Sequence, residues 1–80
     1  MNYYEIQIVI LTKYGEFFGK KATMTEEKYM SLLEIAKGFY VNGGFELTLE
    51  DGGFIVVPPD VVQSSILKIE KRKIEDYVQE

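Results

Sequence analysis

At 80 residues, 46% hydrophobic and 28% charged, the chain makes at most one domain. A domain of this size buries only about 60 to 65% of the surface its unfolded form exposes. Its net charge of −4, from 13 acidic and 9 basic residues, argues against a general nucleic-acid binder, because nonspecific affinity comes from cations that neutralise phosphates. Cysteine, histidine and tryptophan are absent, which removes disulfides, the thiolate nucleophile and the imidazole base together, and no apolar run nears the roughly 18 residues of a membrane span.

The first element is residues 3 to 12, YYEIQIVILT. Tyr4, Ile6, Ile8 and Ile10 alternate with Glu5 and Gln7, which is strand periodicity. Val9 and Leu11 add apolar bulk to the second face, so the strand is central or covered on both sides near its end. Lys13 to Glu16 form a turn in which Gly15 takes the positive φ that a hairpin demands. Residues 17 to 24, FFGKKATM, return as a second strand whose lysines suggest an exposed edge.

Thr25 reads as an N-cap, with Glu26 and Glu27 where the helix dipole favours negative charge. The helix expected over 26 to 40 buries a stripe of Tyr29, Leu32, Leu33, Ala36 and Tyr40, and Asn42, Gly43 and Gly44 close it. Residues 45 to 50, FELTLE, alternate strictly, with Phe45, Leu47 and Leu49 inward. Asp51 and Gly52 supply a tight hairpin turn, and Phe54 to Val57 return as a strand that Pro58 ends.

Asp60 and Gln63 have the spacing of a capped turn, predicting a short helical turn over 61 to 64. Two continuations then compete. Ile66 to Lys71 can form a fifth strand, followed by an amphipathic frayed helix or tail over 72 to 80. Alternatively, Val62, Ile66, Ile69, Ile74, Tyr77 and Val78 share half a helical wheel and would build one long C-terminal helix. The β-branched residues and the adjacent Ser64 and Ser65 favour the strand. The expected fold is a single α+β domain over 1 to 80, ββαβββ in chain order. Its mostly antiparallel five-stranded sheet, which could curl toward a partial barrel, carries one helix on a face; the alternative is ββαββα.

No residue pattern supports catalysis. Ser64 and Ser65 lack a histidine, and pairing a serine with Lys68 would require a buried lysine of depressed pKa. The glycine pairs at 43–44 and 52–53 are not phosphate loops. Glu50, Asp51 and Asp60 match no calcium loop, so no metal, cofactor or catalytic residue is expected. The basic cluster Lys68, Lys71, Arg72 and Lys73 reads as a solvated face, while residues 38 to 67 carry Glu46, Glu50, Asp51 and Asp60 without a cation.

Six tyrosines and five phenylalanines exceed what one small core needs, so some form a second small cluster or anchor a partner. The residues expected to meet a partner are Tyr3, Tyr14, Phe17, Glu46, Glu50, Asp51 and Asp60. The start of the chain, Met1 to Glu5, has neither the basic start nor the apolar stretch of a secretion signal, so the expectation is cytoplasmic, with no membrane association. Core area is scarce at this length, and a homodimer would enlarge it.

Thr25, Glu26 and Glu27, then Gly53 to Pro58 and Ser65 to Ile69, together resemble short accessory proteins of phages and prophages of Gram-positive bacteria. The resemblance covers most of the chain through structural motifs. It implies an accessory role, such as binding or inhibiting a host or defence protein in the host cytoplasm, and carries over no catalytic residue. The expected function is a small non-enzymatic protein-binding module. An acidic mimic of nucleic acid and a small-ligand sensing domain are the alternatives.

Overall fold

A computed structural model describes residues 2–41 and 43–74. The elements run β1 (Tyr3–Thr12), β2 (Gly15–Phe18), β3 (Ala22–Thr25), α1 (Glu26–Ala36), β4 (Phe45–Thr48), β5 (Phe54–Val57), α2 (Pro59–Val62) and β6 (Ile66–Lys73). This is an α+β arrangement with antiparallel sheets and one main helix.

β1 is the axis of the fold, as its two apolar faces predict. β6 pairs along one side of it, from Leu11 opposite Ile66 to Tyr4 opposite Lys73. β2 and β3 pair in succession along its other side. The second strand expected over 17 to 24 is therefore two strands, and the register shows why. From Val9 to Ile6 the central strand moves three residues, whereas from the facing Phe18 to Ala22 its partner moves four, so one residue is extra. That is a β-bulge, which bends the strand and breaks its ladder.

At this break Gly19 donates its N–H to the Ile8 carbonyl at 2.7 Å. It also forms an isolated bridge with Leu49. Two hydrogen bonds flank the bridge, from the Lys20 N–H to the Thr48 carbonyl and from the Glu50 N–H to the Phe18 carbonyl, each 3.0 Å. Instead of one five-stranded sheet there is a four-stranded sheet and a β4–β5 hairpin, joined at this seam. Gly52, at φ 94°, turns the hairpin with Asp51, whose carboxylate accepts the Gly53 N–H at 2.8 Å.

α1 begins as predicted: the Thr25 hydroxyl accepts the Lys28 N–H at 3.3 Å, with Glu26 and Glu27 in the first turn. Its end corrects the sequence reading. The helix stops at Ala36, and the following amides of Gly38 and Phe39 bond three residues back, to Ile35 and Ala36. This tightening rotates the chain, so Phe39 is buried at 4% exposure and Tyr40 lies 45% exposed. The Phe39 ring stands edge-on to both Tyr40 and Phe45, with centroids 4.9 and 5.0 Å away. Asn42, expected to close the helix, lies outside the described residues.

The core gathers Ile10, Phe39, Leu47, Val57, Val61 and Val62, with Ile8, Phe17 and Leu67 packed against it. α2 supplies two of its buried residues. Its expected cap is absent: Pro58 occupies the N-cap with no side-chain bond, and Pro59 starts the turn with its preset φ and missing N–H. Asp60 is exposed, and Gln63 donates instead to the Tyr40 carbonyl at 2.7 Å. The long C-terminal helix is overturned, since Ile66–Lys73 is an eight-residue strand in register with β1. A tail or helix beyond Ile74 lies outside the described residues, while Arg72 and Lys73 belong to β6.

Candidate functional site

An open, largely apolar surface lies where the β1–β2 turn meets β5 and α2. A groove of about 320 Å³ runs there between Thr12, Tyr14 and Phe17 on one wall and Ile55 to Pro58, Asp60 and Val61 on the other. Tyr14 is 72% exposed and Val56 64%. Thr12 shapes the first wall: its hydroxyl accepts the Tyr14 N–H and donates to the Gly15 carbonyl, both at 3.0 Å. The Lys13 ammonium rests 5.4 Å from the centre of the Tyr14 ring.

The second wall is an edge strand. Leu49 donates to the Gly53 carbonyl at 2.8 Å, which makes 49 and 53 a hydrogen-bonded pair. Alternation in an antiparallel ladder then assigns Leu47–Ile55 and Phe45–Val57 the same role. Phe54 and Val56 consequently direct their N–H and C=O groups away from β4. No other described strand pairs with that side. Phe54 is 59% exposed, so the outward backbone groups and adjacent apolar side chains form one accessible strip.

A second hollow lies on the other side of Phe17. Glu16, Glu50 and Asp51 surround Phe18 and Leu49 there. Glu50 is held by a buried amide: the Gln7 side chain donates to Glu50 Oε2 at 2.8 Å and to the Gly19 carbonyl at 3.0 Å. Gln7, read in sequence only as the polar alternate of a strand, thus fills the bulge and pins the hairpin to the sheet. Its alternation gave no hint of this role, because the bulge appears only once the strands pair.

Of the residues expected to meet a partner, Tyr14, Phe17 and Asp60 come together in the groove, and Glu50 and Asp51 line the neighbouring hollow. Glu46 is exposed on β4 and lines neither. Tyr3 faces Thr25 at the opposite end of β1, about 30 Å from Thr12 at roughly 3.3 Å per residue. Val56 and Phe54 were missed. Their signal was the proline that ends the strand, since proline is confined to sheet edges and strand ends.

The serines are engaged in the corner. Ser64 and Ser65 both donate their hydroxyls to the Val61 carbonyl. The Lys68 ammonium meets Glu70 at 3.1 Å in solvent, with a side chain 56% exposed. Its exposure is the opposite of the burial that serine activation would need. Among the described residues no group of three or more acidic side chains is arranged to hold a metal ion, and no helix is long and apolar enough to cross a membrane.

No protein-family model, curated protein or solved structure matches the chain, so the geometry of the groove and its edge strand is what carries a functional reading.

Proposed function

We propose that the chain is a non-enzymatic protein-binding module that takes an extended segment of its partner onto the outer edge of β5. The observation that carries this reading is the outward N–H and C=O of Phe54 and Val56 beside the Tyr14–Pro58 groove. A strand added to an exposed edge gains main-chain hydrogen bonds, and its alternate side chains find specificity in flanking pockets. Here one set of alternate side chains would enter the groove against Phe17, Ile55 and Val57. Tyr14 supplies a large amphipathic anchor at the rim.

Charge favours one kind of segment. Asp60 borders the groove, and Glu16, Glu50 and Asp51 border the adjoining hollow. A partner strand with alternating apolar residues and a basic flank is complementary to both. In the same reading the seam at Gly19 and Leu49 makes the four-stranded sheet and the hairpin act as one curled, barrel-like surface. The resemblance to phage and prophage accessory proteins supplies the class of partner: a cytoplasmic host or defence protein that the module inhibits or modulates.

The test is selection from a displayed random peptide library, followed by titration of the enriched peptides. Val56→Pro removes an outward N–H, which edge positions tolerate, and should weaken binding at least tenfold while the far-ultraviolet circular dichroism stays unchanged. Tyr14→Ala and Asp60→Lys should weaken it further. Enriched peptides that bind all three variants as tightly as the parent would refute the edge as the binding surface.

A further inference from the structure

The outer strand of the four-stranded sheet, β6, is twice as long as β5 and has a different chemistry. Ile74 donates its N–H to the Tyr3 carbonyl at 3.0 Å, so 3 and 74 form a hydrogen-bonded pair. By alternation Arg72, Glu70, Lys68 and Ile66 turn their backbone groups toward β1. Leu67, Ile69 and Lys71 turn theirs outward, where no other described strand pairs with them. We propose that β6 pairs antiparallel with β6 of a second copy of this chain, about a two-fold axis through Ile69.

The register follows from the charges. Antiparallel self-pairing must match outward-facing residues with one another, which leaves a short set of registers centred on successive residues. Centring on Lys68 or Glu70 sets that residue against itself, and centring on Glu70 also sets Lys68 against Arg72 of the partner subunit. Centring on Lys71 opposes two ammonium groups on the axis. Directly opposed like charges are destabilising in a sheet. Centring on Ile69 instead places Lys68 opposite the partner's Glu70, and Glu70 opposite the partner's Lys68. No like charges then face each other between 66 and 72.

Two further observations fit this register. Tyr40 donates its hydroxyl to the Ser65 carbonyl, so that outward acceptor is occupied. Registers displaced toward residue 67, which would bring it from the end of the ladder into its interior, are disfavoured. Lys68 and Glu70 of one chain already meet at 3.1 Å, and the two-fold turns this pair into a ring of four alternating charges. On the opposite face Ile69 meets its own copy. Ile35 of α1, 71% exposed, borders the cleft over Leu67 and Ile69 and lies on the side where the two helices would approach.

This surface is the opposite edge from the groove and does not depend on the peptide reading. Sedimentation equilibrium should give the parent twice the 9.2 kDa chain mass. Lys68→Glu and Glu70→Lys, each at an exposed position, should raise the dimer dissociation constant at least tenfold, and the two combined should restore it. Because the chain has no cysteine, disulfide trapping reads the register directly. Mixed Lys68→Cys and Glu70→Cys chains should cross-link to each other, since they occupy the closer, non-hydrogen-bonded pair, and Lys68→Cys alone should not cross-link with itself. A monomeric parent throughout the micromolar range, a dimer indifferent to charge reversal, or efficient self-linking of Lys68→Cys overturns the proposal.

Discussion

Gly19→Ala strikes the point on which the orientation of the β4–β5 hairpin depends. A Cβ built on Gly19 lies 2.8 Å from the Ile8 carbonyl oxygen and 2.9 Å from Leu47 Cδ1. Leu47 can rotate, but the Ile8 oxygen is backbone and already accepts the Gly19 N–H at 2.7 Å. The added methyl must therefore push the hairpin off the sheet or lengthen that bond. Overpacking of this kind costs about 1 to 3 kcal/mol. A domain of 80 residues has a total stability of only about 4 to 12 kcal/mol. A loss of about 2 kcal/mol lowers the melting temperature by roughly 8 to 16 °C. Urea denaturation at fixed protein concentration measures the loss, and hydrogen exchange locates it: the Lys20 and Glu50 amides, which stitch the seam, should lose protection first. Gly53→Ala is the control, because its nearest obstacle is the Asp51 carboxylate, a side chain that can move. A Gly19→Ala variant within about 0.5 kcal/mol of the parent, the range of an inert surface change, would refute the assignment of Gly19 as the tight point of the seam.

Four other substitutions test the remaining supports. Gln7→Ala and Glu50→Ala should be coupled by about 1 kcal/mol in a double-mutant cycle, since one hydrogen bond to a carboxylate is lost in either case; strict additivity in denaturation would contradict the pin. Thr25→Ala should cost about 1 kcal/mol by removing the cap on the Lys28 N–H, seen as a lower urea midpoint with an unchanged slope. Arg72→Ala breaks a 3.1 Å pair with Glu5, but the arginine side chain is 69% exposed, so stability should stay within about 0.5 kcal/mol.

The strands were legible where one face is buried. Alternation over 3 to 12 and 45 to 50 fixes which residues point inward, and burial of Ile6, Ile10 and Leu47 follows it. The Thr25 cap and the positive φ of Gly15 are local chemistry and were equally readable. What escaped was set by contacts between distant segments. The break at Gly19 depends on β1 and the hairpin arriving together, and 17 to 24 contain no punctuation beyond one glycine. The last turn of α1 tightened against the core, exchanging Phe39 for Tyr40, which are adjacent and equally apolar to a periodicity argument. Asp60 and Gln63 had the spacing of a cap, but two prolines had already satisfied the turn. In the candidate site the aromatic excess singled out Tyr14 and Phe17, which line one groove. The scattered acids did not converge on one surface, because Glu46 alternates outward on β4 while Asp60 rides on α2.

The two outer strands, β5 and β6, present the same hazard. An unpaired edge invites any strand, and if β5 of one chain simply accepted β6 of the next, the contact would be heterologous and would propagate into open filaments. Such a pairing sets Lys68 and Glu70 of β6 against the uncharged run Phe54–Val57, so neither meets an opposite charge on the facing strand itself. The proposed two-fold at Ile69 would satisfy Lys68 and Glu70 at once, so charge would favour the dimer over the filament. The proposed closure would also leave both β5 edges outside the β6–β6 interface. Two grooves in one such dimer would bind a partner that displays two copies of a segment with the second event intramolecular, which would raise avidity without any new contact. On the proposed dimer, the selectivity of β6 would be what makes the open β5 edge tolerable.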